Sequence, residues 1–367
     1  MKEDTLYSVI TGTGRYIPPQ VVSNEAFLQS DFFNATGQKS SKSNKEIVQK
    51  FGQITGIEER RYANDDQVAS DLGYFAAEAA LSSAGINKED LDYIIVAHNF
   101  GDVLHGNRKT DMVPTLAARI KYKLGIHNPY TIAYDLPFGC PGWLQGVIQA
   151  DYFIKSGDAR KILVIGTETL SRISDPHDID SMIYSDGAGA VVMEAVRSEE
   201  PIGLLAHKTR SDTLEHAHLL RMDVSYKPEP EDDTLFLKME GRKLYEYALT
   251  HVPQLVRECL DKAGVPIKDV AKLLIHQANA KMDEAILNRL LKLLKVMEVP
   301  EGIMPMSIAK LGNNSVATVP VLLDMLSRQE MEGHRIRQGD HLILASVGAG
   351  MNVNAVVYKM HQTPAPR

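Results

Sequence analysis

No stretch of eighteen apolar residues occurs anywhere in the sequence, which excludes a membrane-spanning helix. Cysteine is almost absent: Cys140 and Cys259 are the only two in 367 residues. Two thiols cannot build a disulfide framework, so the reducing cytoplasm is the expected compartment. No apolar leader segment follows the charged opening Met1-Lys2-Glu3-Asp4, and export is not expected. Basic residues are not in excess either. Lys and Arg number 40 against 47 Asp and Glu, a net charge of −7. That balance argues against a nucleic-acid surface, and an acidic partner would need a local basic patch to dock on. A dinucleotide loop is missing too. Gly12-Thr13-Gly14 lacks the third glycine, and Pro18-Pro19 take the place of the helix that should follow.

What is present is a globular composition, 44% apolar and 24% charged, in a length that suits two domains. The chain also repeats itself. Residues 80–97 read as a helix end, the stop Ala84-Gly85, an acidic turn at Asp90 and the apolar strand Tyr93-Ile-Ile-Val-Ala97. Residues 259–276 follow the same order, with Gly264 and Asp269 each 179 positions after Gly85 and Asp90. Gly suits the residue just past a helix because it tolerates positive φ. A second pairing joins Gly157-Asp158, before the strand Ile162–Gly166, to Gly339-Asp340, before Leu342–Ala345. Helices alternating with continuous apolar strands imply α/β layers with strands buried on both faces. The expected division is an N-terminal half over 1–196 and a C-terminal half over 197–367. Residues 36–46 and 224–235 are polar and are expected as exposed loops.

Cys140 lies in Asp135-Leu-Pro-Phe-Gly-Cys140-Pro-Gly-Trp143, after a strand-like stretch. Beyond it, Leu144, Val147, Ile148 and Tyr152 recur at helical spacing, and Pro141 fits a first helical turn. The thiol is therefore expected over a helix N-terminus, whose amides and dipole stabilise thiolate and lower its pKa. The alternative for any cysteine is a buried, inert side chain. Cys259 takes that role, because Val252, Leu255, Val256, Leu260 and Ala263 make one apolar stripe with it. His276 ends the strand Leu273-Leu-Ile275, and Asn313 sits in Leu311-Gly-Asn-Asn-Ser315 ahead of another helix. Each alone reads as an ordinary strand-end or turn residue.

Taken together, Gly139-Cys140-Pro-Gly-Trp143, His276-Gln-Ala-Asn279 and Gly312-Asn313-Asn-Ser315 resemble the three active-site motifs of β-ketoacyl-acyl-carrier-protein synthase III. The likeness extends along nearly the whole chain. Ile10-Thr-Gly-Thr-Gly-Arg-Tyr-Ile-Pro18, Thr55-Gly-Ile-Glu-Glu-Arg-Arg61, Ser185-Asp-Gly-Ala-Gly-Ala-Val-Val192 and Ser346-Val-Gly-Ala-Gly350 appear in the family's order. The resemblance implies a thiolase-like, five-layered αβαβα fold of two similar halves, usually a homodimer, with no metal or other cofactor. It implies that Cys140 takes an acyl group from a thioester on coenzyme A or acyl carrier protein. A malonyl- or β-ketoacyl-type thioester then attacks in a decarboxylative Claisen condensation, with His276 and Asn313 stabilising the enolate. The main-chain amides of Cys140 and Ala349 are the implied oxyanion hole.

Departures from the family pattern bear on the substrate. Lys50, Ile54 and Ile179 stand where well-known members carry a Trp and two Arg that grip the nucleotide of coenzyme A. Val113 replaces an aromatic residue that in some members reaches from the partner subunit to limit the acyl pocket, and Val347 replaces a Phe beside the oxyanion loop. The smaller side chain of Val113 points to a roomier pocket and a longer or branched acyl chain. Lys281, Arg289 and Lys292, with Asn288 and Lys295, make a basic helical stripe suited to an acidic acyl carrier protein. Glu246 stands where the family often has Lys. Among rivals, a degradative thiolase needs a second cysteine that Gly348-Ala-Gly350 lacks, and a papain-like hydrolase carries its cysteine near the N-terminus. An acyltransferase making an ester or amide, or a non-decarboxylative Claisen enzyme, needs only the same scaffold.

Overall fold

In the computed structural model, residues 5–230, 232–297 and 300–361 are described; the opening 1–4, on which the expectation about export rests, lies outside them. Strands β1 (Thr5–Tyr16), β2 (Tyr93–His98), β3 (Ile132–Pro137), β4 (Lys161–Thr169) and β5 (Asp186–Ser198) form one sheet in the order β1-β5-β4-β2-β3. Strands β6 (Gly203–Ser211), β7 (Val270–Ile275), β8 (His341–Gly348) and β9 (Asn352–Lys359) form a second in the order β6-β9-β8-β7. Directions match as well as order. β5 runs antiparallel to β1 and β4, while β2 is parallel to β4 and β3. Likewise β9 runs antiparallel to β6 and β8, and β7 is parallel to β8. The second sheet thus repeats the first, except that β3 has no counterpart strand among the described residues.

Helix α1 (Asn44–Thr55) stands apart near the site, and the others supply three layers. On the outer face of the first sheet lie α2 (Ala69–Ala84) and α3 (Leu116–Lys123), burying Leu72, Ala76, Leu116 and Ile120. Between the sheets lie α4 (Gly142–Ser156) and, far along the chain, α7 (Thr318–Ser327), whose Trp143, Val147, Leu322 and Leu326 are buried. Against the second sheet lie α5 (Gly241–Ala263) and α6 (Ala280–Leu293), with Val252, Val256, Ile286 and Leu290 inward. The result is a five-layered αβαβα arrangement. Helices α2 and α5 both end where the repeat places its glycines, at Gly85 (φ 66°) and Gly264 (φ 67°).

One local reading changes. Helix α1 starts inside the stretch expected as a polar loop, because Ser43 and Glu46 form a capping box. Gly339 (φ 88°) and Asp340 lead into β8, as the repeat implies. Gly12 and Gly14 lie within β1, where any side chain would run into the α2 main chain at Ala80 and Ala76. Cys259 is fully buried as expected, its thiol 3.4 Å from the Ala355 carbonyl. Most of the loop 224–235 separates two strands, Leu220–Val224 and Leu235–Met239, which pair as a hairpin.

Candidate active site

The site forms where loops from both halves meet between the sheets. Cys140 follows β3 and directly precedes α4, with Pro141 at the helix N-cap. His276 is the first residue after β7, and its main-chain N–H donates to Ala345 of β8 at 2.9 Å. Asn313 is fixed by its main chain, whose N–H donates to Ile183 O (2.9 Å) and whose carbonyl accepts from Ser185 N–H (2.8 Å). Its side-chain oxygen accepts from the Ser315 N–H at 2.8 Å. With the oxygen so engaged, the amide NH2 is the end left for another partner.

Cys140, His276, Asn313, Ser315, Val347 and Ala349 share the wall of one cavity of about 70 Å³. The rest of the lining is mostly apolar, including Leu220, Leu237 and Met239 from the hairpin. Two glycines bring the loops of the two halves into main-chain contact. A Cβ on Gly139 would lie 2.7 Å from Ala349 N, and one on Gly348 only 2.6 Å from Cys140 N. No side chain fits between them, so the amides of Cys140 and Ala349 occupy the same corner of the site. A larger cavity of about 490 Å³ adjoins, sharing Met239, Leu244, Ala278, Met282 and Asn313. Lys50, Ile54 and Ile179 all line this outer cavity, although they are far apart in sequence.

Burial governs the electrostatics. The Cys140 thiol is pushed up to about 11, chiefly by desolvation and further by Glu168, while the Ser315 hydroxyl pulls the other way. This corrects the expectation of a lowered pKa: the helix N-terminus is in place, but burial outweighs it. His276 is drawn down to about 4 by burial, against a contact with the Ser315 main chain, and is therefore neutral. Glu168, at 1% exposure, is raised to about 7 by desolvation, which outweighs the pull of His98 and of Asn99.

Other residues sit differently from expectation. Val113 is 87% exposed and absent from the cavity wall, so within one chain it does not enlarge the acyl pocket. Val347 does line it. Lys281, Arg289 and Lys292 are exposed on α6, whose first turn supplies Met282 to both cavities. Lys295 lies past the end of that helix with φ 58°, which cuts the stripe short. Glu246 is paired with Arg242 at 3.1 Å. The sequence reading missed Asn99, Glu168 and Ser315, which are hydrogen-bonded to one another and to Cys140. Glu168 is the lone acid in a strand that is buried from Ile162 to Thr169, a setting visible only once the packing is known.

Comparison with known proteins bears on this geometry. The 3-oxoacyl-[acyl-carrier-protein (ACP)] synthase III family pattern matches residues 134–213, and its C-terminal counterpart matches residues 260–360. β-Ketoacyl-[acyl-carrier-protein] synthase III 1 of Vibrio vulnificus (strain YJ016) is 34% identical over 347 residues, covering 94% of this chain and 97% of that one. The chain belongs to the β-ketoacyl-acyl-carrier-protein synthase III family. It is a synthase III-like condensing enzyme with the thiolase-like fold. Among solved structures, the 3-oxoacyl-(acyl carrier protein) synthase III of Pseudomonas aeruginosa PAO1 superposes with a TM-score of 0.78 at 28% identity, covering 97% of this chain and 99% of that one. The priming β-ketosynthase of the R1128 polyketide pathway gives 0.79 at 26% identity, with 99% of both chains covered. Synthase III relatives therefore span essentially the entire αβαβα body, including both loops at the Cys140 corner.

Proposed function

We propose that Cys140 is the nucleophile of an acyltransferase that extends an acyl group by decarboxylative condensation. Its thiolate attacks the carbonyl of an acyl thioester, the donor leaves as a free thiol, and an acyl-cysteine remains. The amides of Cys140 and Ala349 stabilise the oxyanion of that step. A malonyl-type thioester then loses CO2 to give an enolate, with its oxygen held by neutral His276 and the Asn313 amide. The enolate carbon attacks the acyl carbonyl, releasing Cys140 and a β-ketoacyl thioester. The observation that carries this reading is the convergence of Cys140, His276 and Asn313 on one largely apolar cavity beside two abutting main-chain amides. The test separates the half-reactions. His276→Ala and Asn313→Ala should still acylate Cys140 but lose decarboxylation of malonyl thioester by ~10²–10³ each. Loss of the acyl-enzyme in both variants sinks the assignment.

The donor is a carrier protein rather than free coenzyme A. The outer cavity presents Ile54 and Ile179 where a stacking and phosphate-pairing lining would be needed, with Lys50 and Lys42 as flexible point charges. Each missing charge-assisted hydrogen bond costs roughly 1.5–3 kcal/mol, or about ten- to a hundredfold or more in affinity. A carrier protein brings the same phosphopantetheine arm without the nucleotide and docks on Lys281, Arg289 and Lys292. Acylation rates with acetyl and octanoyl groups on each carrier type decide the matter. Acetyl-coenzyme A as the fastest donor rejects this part. Two unpaired cysteines fit the cytoplasm, where such thioesters are used. The protein works as a homodimer, in which β3 and Val113 face the second copy.

A further inference from the structure

Cys140 is half-buried, and desolvation pushes its thiol pKa up, so something must favour the thiolate it needs as a nucleophile. The side chain in contact with the sulfur is Ser315, whose Oγ lies 3.4 Å from Sγ. A serine hydroxyl has one hydrogen and can also accept. Here the accepting role is taken: Asn99 Nδ2 donates to Ser315 Oγ at 3.1 Å. The single hydroxyl hydrogen is then directed at the sulfur. Asn99 is held in turn by Glu168 Oε2, which accepts from Nδ2 at 2.6 Å and from the Asn99 main-chain N–H at 3.1 Å. A carboxylate in that place fixes the amide with its NH2, not its oxygen, toward Ser315. Flipped, the amide oxygen would accept the Ser315 hydrogen and draw it off the sulfur.

We propose that Ser315 is a catalytic hydrogen-bond donor to the Cys140 thiolate, and that buried Glu168, acting through Asn99, is the positioning residue that aims it. The inference rests on the reading of Cys140 as nucleophile. Ser315 is held for this task at φ 51°, a left-handed conformation uncommon for a side-chain-bearing residue, by its N–H bond to Asn313 Oδ1. Around Glu168, His98 of β2, hydrogen-bonded to Asp135 at 2.9 Å, favours the carboxylate, while Asp186 of β5 opposes it. Cys140 faces it from the N-terminal side of α4, and Arg172 offsets Asp186 from beyond β4.

The readout is the rate of Cys140 alkylation by iodoacetamide against pH, followed on the Cys140 peptide of the full chain. Ser315→Gly removes the hydroxyl where glycine is the residue best suited to the backbone. It should raise the midpoint of the profile by about one to two pH units and slow acyl-enzyme formation at pH 7.5 by about ten- to a hundredfold. Glu168→Gln and Glu168→Leu both delete the charge, but only Gln keeps an acceptor for Asn99. The Leu variant should therefore titrate higher than the Gln variant. An unchanged midpoint in Ser315→Gly overturns the donor role, and coincident Gln and Leu profiles overturn the positioning role. Failure of the nucleophile reading looks different: wild-type Cys140 would take no acyl group while these alkylation shifts persisted.

Discussion

Exchange of Cys140 for alanine or serine should abolish acyl-enzyme formation altogether, because Cys259 is sealed in α5 with its thiol pushed up to about 12. Peptide mass mapping after exposure to an acyl thioester checks this, and acylation elsewhere in the variant rejects it. The pH behaviour of His276 follows from its burial. Drawn down to about 4, it stays neutral through the working range, so decarboxylation should hold its rate from pH 9 down to about 5. A limb centred near 6.5 would show an imidazole titrating as in water. Asp283 on α6 is fully buried, and neither carboxyl oxygen has a partner among the described residues. Burial holds its pKa well above the usual carboxylate range. The sign is therefore that of a raised acid: stability is greatest below the unfolded pKa of about 4 and falls as pH rises toward the folded value. Asp283→Leu should remove that slope and stabilise by ~1–3 kcal/mol at pH 8, as urea titrations at pH 5 and pH 8 would reveal. At this scale residue type and motif singled out Cys140, His276 and Asn313, and the fold brings the three to one cavity. Asn99 and Glu168 were not legible, because hydrogen bonds across 69 and 216 residues leave no local pattern. The thiol's raised pKa was also hidden, since burial depends on the packing around it.

The hairpin Leu220–Val224 with Leu235–Met239 lines the inner cavity through Leu220, Leu237 and Met239, and it is pinned by one buried lysine. Lys238 is fully buried, donates to Asp175 at 2.5 Å and Asp178 at 3.1 Å, and lies under the Tyr226 ring. Lys238→Met leaves two buried carboxylates without their cation, a loss of ~3–5 kcal/mol. Faster amide exchange over residues 220–239 than over β8 should accompany it, and uniform protection would refute the pin. On α6, reversing Lys281, Arg289 and Lys292 to Glu should weaken acylation from a carrier protein and spare a free pantetheine thioester, with the difference shrinking at high salt. Elements were the most legible scale. Strands with unbroken apolar runs and helices stopped by Gly85 and Gly264 were readable because their signals are local. The start of α1 escaped because a capping box in a polar stretch resembles a loop until its helix is seen.

Across the molecule, β3 is an edge strand of the first sheet, and Tyr130, Ile132, Met112 and Val113 are exposed near it. An uncovered edge with apolar neighbours invites a second copy. If Val113 then reaches the partner's acyl pocket, Val113→Phe should shift donor preference toward acetyl without changing sedimentation. Ile132→Lys should lower the sedimentation coefficient. Unaltered chain-length selectivity in Val113→Phe would remove Val113 from the pocket. The repeated strand order of the two sheets could be read from repeated glycines and aspartates, whereas the lack of a β3 counterpart among the described residues could not, since an absent strand leaves nothing to align.

The contact between Gly139 and Ala349, and between Gly348 and Cys140, has a consequence for biosynthesis. Residues needed at this corner are separated by some two hundred positions, and the last of them belongs to the loop between β8 and β9, close to the end of the described chain. A growing polypeptide on the ribosome exposes Cys140 long before residues 313–349 exist. Its thiol then lacks Ser315, Asn313 and the opposing amide, so an incoming thioester would meet a sulfhydryl with no oxyanion partner beside it. On the proposed roles, the acyl-transfer geometry assembles only after residue 349 has been made, and a chain stopped before it holds the thiol without its site.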